Sequence, residues 1–165
     1  MKLLCSWLLL TLFCWNAICC SLIPIEPFLV EKKLPKSSAP PTPNVELMRF
    51  DAGFEKALMD GSCKGNGFIL IRVSFDRGAQ VDMSNIGYAI RAVSGVNDKG
   101  FFPGYLKPFK VVGNTAELRW IWFRRTANPD GQLKWNLQVV AVSKNGVESQ
   151  PAELCVSTNK SCEPK

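Results

Sequence analysis

Four segments of this chain alternate apolar and polar residues with a period of two, and that pattern restricts the fold more than any other feature. Residues 68–75 read FILIRVSF, with Ile69, Ile71, Val73 and Phe75 on one face. Residues 86–93 read IGYAIRAV, with Tyr88, Ile90 and Ala92 in phase. Residues 116–123 read AELRWIWF, aligning Leu118, Trp120 and Trp122, and residues 135–142 read WNLQVVAV, aligning Trp135, Leu137, Val139 and Ala141. Side chains of an extended strand point alternately to opposite faces, so each segment buries one apolar face as a strand and would scatter it as a helix. β-branched and aromatic enrichment, with Gly, Asn and Asp between the runs, supports the same assignment. A further strand over 152–157 follows the turn Lys144-Asn145-Gly146, and a first strand is expected around 45–50. Beyond it Phe50, Phe54, Ala57 and Leu58 recur at helical spacing, which reads as an irregular or helical piece. Six or seven short strands in about 115 residues, with no alternation of strands and helices, predict an all-β, two-sheet antiparallel β-sandwich over 45–158.

The N-terminus predicts export. Met1-Lys2 is followed by the apolar stretch LLCSWLLLTLFCW and then by Asn16, Ala17, Ile18, Cys19, Cys20 and Ser21. A basic start, an apolar core and a small-residue end are the three parts of a secretory signal peptide, here 1–20. The stretch falls short of the roughly 20 apolar residues a bilayer span needs. Residues 21–44 carry Pro24, Pro27, Pro35, Pro40, Pro41 and Pro43 and read as an extended, Pro-rich tether. Its apolar start (Leu22, Ile23, Ile25, Phe28, Leu29, Val30) leaves a second reading open, in which it packs on the domain or on a partner. Residues 159–165 form a C-terminal tail.

Charge and cysteine content narrow the partners. The chain has 20 Lys and Arg against 14 Asp and Glu, a net +6, and losing Lys2 with the signal lowers this to +5. The basic residues are dispersed, so nucleic acid is not an expected partner; a protein, or an envelope polymer or glycan, is. Contact with a membrane would come only through an N-terminal lipid anchor. Cys20 is the candidate attachment residue, although Ala17-Ile18-Cys19 before it puts the small and aliphatic residues in the wrong order for a lipoprotein signal. Cys63, Cys155 and Cys162 are the disulfide candidates of the domain. Three is an odd number, so one thiol is free, pairs with Cys20, or pairs between molecules.

No histidine occurs anywhere. This removes the usual general base, the commonest metal ligand, and every Ser-His-Asp or Cys-His arrangement. No Cys-x-x-Cys spacing and no nucleotide-binding glycine motif is present, so neither a catalytic site nor a metal or other cofactor is expected. Asp76, Asp82 and Asp98 lie in turns, where local capping accounts for them. The long segment 95–108 (GVNDKGFFPGYLKP) carries Phe101, Phe102 and Tyr105, which make a candidate binding loop or, alternatively, a cap on one end of the core.

The last third of the chain resembles a known pattern. Trp135-x-Leu137-x-Val139-x-Ala141-Val142, then Asn145-Gly146, then Glu148-Ser149-x-Pro151 is similar to the closing hairpin of fibronectin type III domains. Ile71-x-Val73-x-Phe75 and Tyr88-x-Ile90-x-Ala92 resemble the second and third strands of that family, with Trp135 standing at the position of its corner tyrosine. The resemblance implies a fibronectin type III or immunoglobulin-like sandwich. It also implies that Cys63 and Cys162 lie at one pole, where a bridge can form; Cys63–Cys155 is a close rival and Cys155–Cys162 a third arrangement, so Cys63 is expected in a disulfide with its partner left open. Two functions are then expected: a non-catalytic binding or adaptor module, secreted or held near the cell envelope (periplasm, outer membrane or outside the cell), or a structural subunit of an exported assembly.

Overall fold

In β2 (Gly67–Ser74) burial follows the sequence pattern: Ile69, Ile71 and Val73 are completely enclosed, and the residues between them are half-exposed. The computed structural model describes residues 25–33, 35, 38–51, 67–79, 81–95, 102, 104–122, 133–158 and 162. Around β2 it places β1 (Asn44–Asp51), β3 (Ile86–Ser94), β4 (Lys110–Val112), β5 (Thr115–Trp122), β6 (Lys134–Ser143) and β7 (Ala152–Ser157). These form two antiparallel sheets, ordered β1-β2-β5-β4 and β3-β6-β7. The expected all-β sandwich is present, with β4 added.

The inner faces meet in one core. β2 contributes Ile69, Ile71 and Val73; β5 contributes Ala116, Leu118 and Trp122; β6 contributes Trp135, Leu137, Val139 and Ala141; β7 contributes Leu154 and Val156. Burying each large aliphatic side chain stabilises the fold by about 1.5–3 kcal/mol, and this term fixes which face of each strand turns inward. At one end the aromatic rings cluster. Trp135 lies 5.2 Å from Trp122 and 5.5 Å from Phe50, centre to centre, the latter edge-on. Gly67 makes room for this cluster, since a Cβ there would fall 1.8 Å from the Trp122 ring.

β3 departs from simple alternation. Its first five residues are buried on both faces and its last four are exposed. Ala92, expected inward with Tyr88 and Ile90, is exposed because the strand leaves the core at an irregularity between Ala92 and Ser94. The double burial of the first half comes from the segment expected as a tether. Residues 26–28 pair with the Leu106 segment, which itself pairs with β3 at Tyr88. The Phe28 amide donates to the Tyr105 carbonyl (2.8 Å), Lys107 to Glu26 (2.9 Å), and Tyr88 and Leu106 exchange bonds of 2.9 and 2.7 Å. Phe28 is buried against Gly87, where a Cβ would sit 2.3 Å from its ring. Phe28, Ala89, Val140 and Val142 are buried outside the main core, on the outer face of the three-stranded sheet. Farther along, the Glu31 amide bonds the Lys144 carbonyl and Asn145 Nδ2 bonds the Pro35 carbonyl. Residues 25–31 are therefore a strap along the domain, the second of the two readings of this segment.

Turns follow their local chemistry. Asp82 caps a 3₁₀ turn over Met83–Asn85, accepting from the Ser84 amide at 3.0 Å and the Ser84 hydroxyl at 2.6 Å. Asp76 accepts from Asn44 Nδ2 at 2.8 Å. Asp98 lies outside the described residues.

Candidate interaction surface

The residues singled out from sequence do not form one patch. Phe102 is half-buried, 6.4 Å from Trp120 and 6.2 Å from Trp135, and caps the aromatic end of the core. Tyr105 lies instead on the outer face of the three-stranded sheet, where its hydroxyl donates to Glu148 Oε1 at 2.7 Å. The Arg91 guanidinium donates to the same oxygen. Glu148 pairs with β6 on the edge away from β3, so this tie spans the width of the sheet. Burial pushes the Glu148 carboxyl up, but the bonds from Arg91 and Tyr105 outweigh it and hold it below its ordinary value. Tyr105 is pushed up, first by the bond it gives to Glu148 and then by burial and the carboxylate charge. Phe101, Cys20 and Cys63 lie outside the described residues.

Among the described residues one disulfide is formed, Cys155–Cys162, with Cα atoms 5.5 Å apart. This is the arrangement ranked third from sequence. It occupies both sulfurs, so the pairing of Cys63 with either of them is replaced. Cys155 follows the alternation of β7, half-exposed between buried Leu154 and Val156. Its side chain thus points away from the core, where a short link to the tail can close.

Exposed apolar side chains concentrate on β4 and the residue before it, a strand that sequence reading did not anticipate. Phe109, Val111 and Val112 are 47%, 41% and 63% exposed, half of the large exposed hydrophobics among the described residues. β4 is an edge strand, paired only with β5. It turns into β5 through Gly113-Asn114, with Gly113 at φ +56° and Asn114 at negative φ, the type II′ hairpin pattern. The Phe109 amide bonds the Glu117 carbonyl at 2.8 Å, so the Glu117 backbone faces β4. Strand alternation then turns the N–H and C=O of Val111 away from β5, toward the open edge. Arg119 lies over the Phe109 ring at 4.0 Å and Arg49 over Phe68 at 5.4 Å, so a guanidinium stacks on each of these two rings. The sequence signal for β4 was Val111-Val112 directly before Gly113-Asn114, a two-residue turn leading into the alternating run 115–122.

An edge of this kind offers main-chain donors and acceptors beside apolar side chains, and can receive an extended segment of another chain. Among the described residues, no group of three His, Cys, Asp or Glu side chains is placed to hold a metal ion. No helix among them is long and apolar enough to cross a membrane. No protein-family model, curated protein or solved structure matches this chain.

Proposed function

We propose that this chain is an exported, non-catalytic interaction module on a fibronectin type III or immunoglobulin-like sandwich, and that it docks a protein strand at the β4 edge. The observation that carries the reading is the concentration of exposed apolar residues at an edge strand whose outer side has no partner strand among the described residues, since an uncovered edge with apolar side chains is a template for pairing with another chain. The strand order supports the fold family: β1-β2-β5-β4 with β3-β6-β7 corresponds to the A-B-E-D and C-F-G sheets of seven-stranded immunoglobulin constant-type domains. The Cys155–Cys162 bond supports export, because disulfides persist in oxidising compartments. A protein partner is favoured over a glycan. Sugars stack on open aromatic platforms, and every tryptophan and tyrosine among the described residues is buried or half-buried.

Val111→Pro tests the edge. It removes the outward N–H while leaving the bonds to β5, and proline is tolerated on an edge strand. A photo-crosslinking residue at position 112 should join the chain to protein in an envelope fraction, and Val111→Pro should abolish the crosslink. Retention on polymer alone, or equal crosslinking by both forms, removes the β4 edge as the docking site.

A further inference from the structure

We infer that the strand received at the β4 edge is β1 of a second copy of this chain, an inference that rests on the β4 edge being the docking site. Three cross-strand rows of the four-stranded sheet support it. On the outer face, Glu46, Arg72, Glu117 and Lys110 stand opposite one another in successive strands, alternating negative and positive. Only Arg72 and Glu46 are in contact, at 3.0 Å, and Lys110 makes no ion pair among the described residues. The row begins with an anion on one edge strand and ends with a cation on the other. The next strand that continues it carries a carboxylate opposite Lys110, and β1 carries Glu46. Opposite charges in directly facing positions stabilise a strand pair, and like charges oppose it.

The neighbouring row gives the same register. Val45, Val73, Ala116 and Val111 face one another on the inner side, and only Val111 is left substantially uncovered. Setting Glu46 of the second copy against Lys110 puts its Val45 against Val111, aliphatic on aliphatic.

Backbone direction is an independent check. The Glu117 carbonyl faces β4, so Ala116 bonds toward β2, Arg72 toward β1, and Glu46 back toward β2. Val45 is thereby left with its N–H and C=O directed out of the β1 edge, as those of Val111 are directed out of the β4 edge. The charge row and the aliphatic row thus select a register in which Val111 and Val45 meet as a hydrogen-bonding pair. A shift by one residue loses both the charge match and the bonds. Strand direction agrees as well: β1 and β4 run oppositely within one sheet, so a β1 added at β4 is antiparallel to it, like every other neighbour in that sheet.

The contact joins unlike edges, β4 of one copy and β1 of the next, so each copy can engage two neighbours and the assembly extends beyond two. A three-residue strand makes a small interface, and the association is correspondingly weak.

Sedimentation of the purified full chain across a wide concentration range tests this. The weight-average mass should rise with concentration past that of a dimer, and should fall back on adding salt, which screens the Lys110–Glu46 contact. Lys110→Glu and Glu46→Lys should each return the chain to monomer, and the double exchange should restore assembly. Circular dichroism of each variant checks that it is folded; both positions are solvent-exposed. A monomer at every concentration overturns the assignment, while the crosslink from position 112 still reports on the edge itself. Mass that saturates at a dimer and ignores Glu46→Lys also overturns it, and points to β4 pairing with β4.

Discussion

Gly146 sits at φ +84°, in the left-handed region that costs a residue bearing a Cβ roughly 1–2 kcal/mol. A Cβ there would also lie 2.8 Å from Val30 Cγ1, against the strap. Gly146→Val should therefore lower the melting temperature, whereas Gly104→Ala, with open space and no positive φ, should not. The turn requirement was readable from Asn145-Gly146 ahead of Ser-x-Pro; the Val30 contact was not, because nothing local in the sequence says where a segment more than a hundred residues away will lie. Trp135 was readable for the opposite reason. Its alternation with Leu137, Val139 and Ala141 fixes its face regardless of the rest of the chain, and it is fully buried among Phe50, Phe102 and Trp122. Trp135→Ala should cost about 3–5 kcal/mol in denaturant unfolding. A loss below 1 kcal/mol would mean that the aromatic cluster repacks around the gap.

Elements were legible where they were long enough to show a period. β2, β5, β6 and β7 fall within a residue or so of the expected bounds, because each carries three or more in-phase apolar side chains. β4 has three residues, too few for a period, and was not read; its two-residue turn was the one signal for it. The strap was one of two open readings, because its prolines favour extended chain in solution and equally permit extended chain laid along a sheet. What holds the outer face around it includes the tie of Arg91 and Tyr105 to Glu148, which should give a pH signature. Glu148 titrates below its ordinary value of 4.5 in the fold, so its stabilisation is present above that pH and is lost as pH falls through the lowered value. Tyr105 is raised, so its share is present below its ordinary value of 10.0 and is lost as pH rises through the raised one. Glu148→Gln should lower the melting temperature at pH 7, and the gap from the parent chain should close below about pH 4.5. With the Arg91 side chain 49% exposed, the effect should be about 1 kcal/mol or less. A gap that persists unchanged to pH 3 would assign the difference to packing rather than charge.

For the molecule as a whole, the strap and the disulfide together change how the domain is held. A tether of residues 21–44 would let the sandwich range tens of ångströms from its N-terminus. With residues 26–28 bonded to 105–107 and Glu31 to the Lys144 turn, residues 25–31 lie along the domain and add nothing to such a reach. At the other terminus the cysteine pairing decides how much of the chain is cross-linked. Cys63–Cys162 would close a loop of about 100 residues and restrict most of the unfolded ensemble, worth about 4.7 kcal/mol in the chain-entropy relation. Cys155–Cys162, with a sequence separation of 7, leaves nearly all of the unfolded chain unrestricted and is worth about 2.5 kcal/mol by the same relation. Its work is local. It holds the tail to the last strand just past Thr158, whose amide bonds the Leu133 carbonyl at 3.0 Å and whose hydroxyl accepts from the Leu133 amide at 3.0 Å. The Cys155→Ser, Cys162→Ser variant should therefore stay folded, with its melting temperature lowered by roughly 10 °C or less. Hydrogen exchange should quicken at 156–158 and 133–135 while β2 and β5 keep their protection. Non-reducing peptide mapping of the parent chain should recover 155 linked to 162. Recovery of 63 linked to either would reassign the bridge, and the larger loop would then require a much larger loss of stability on reduction.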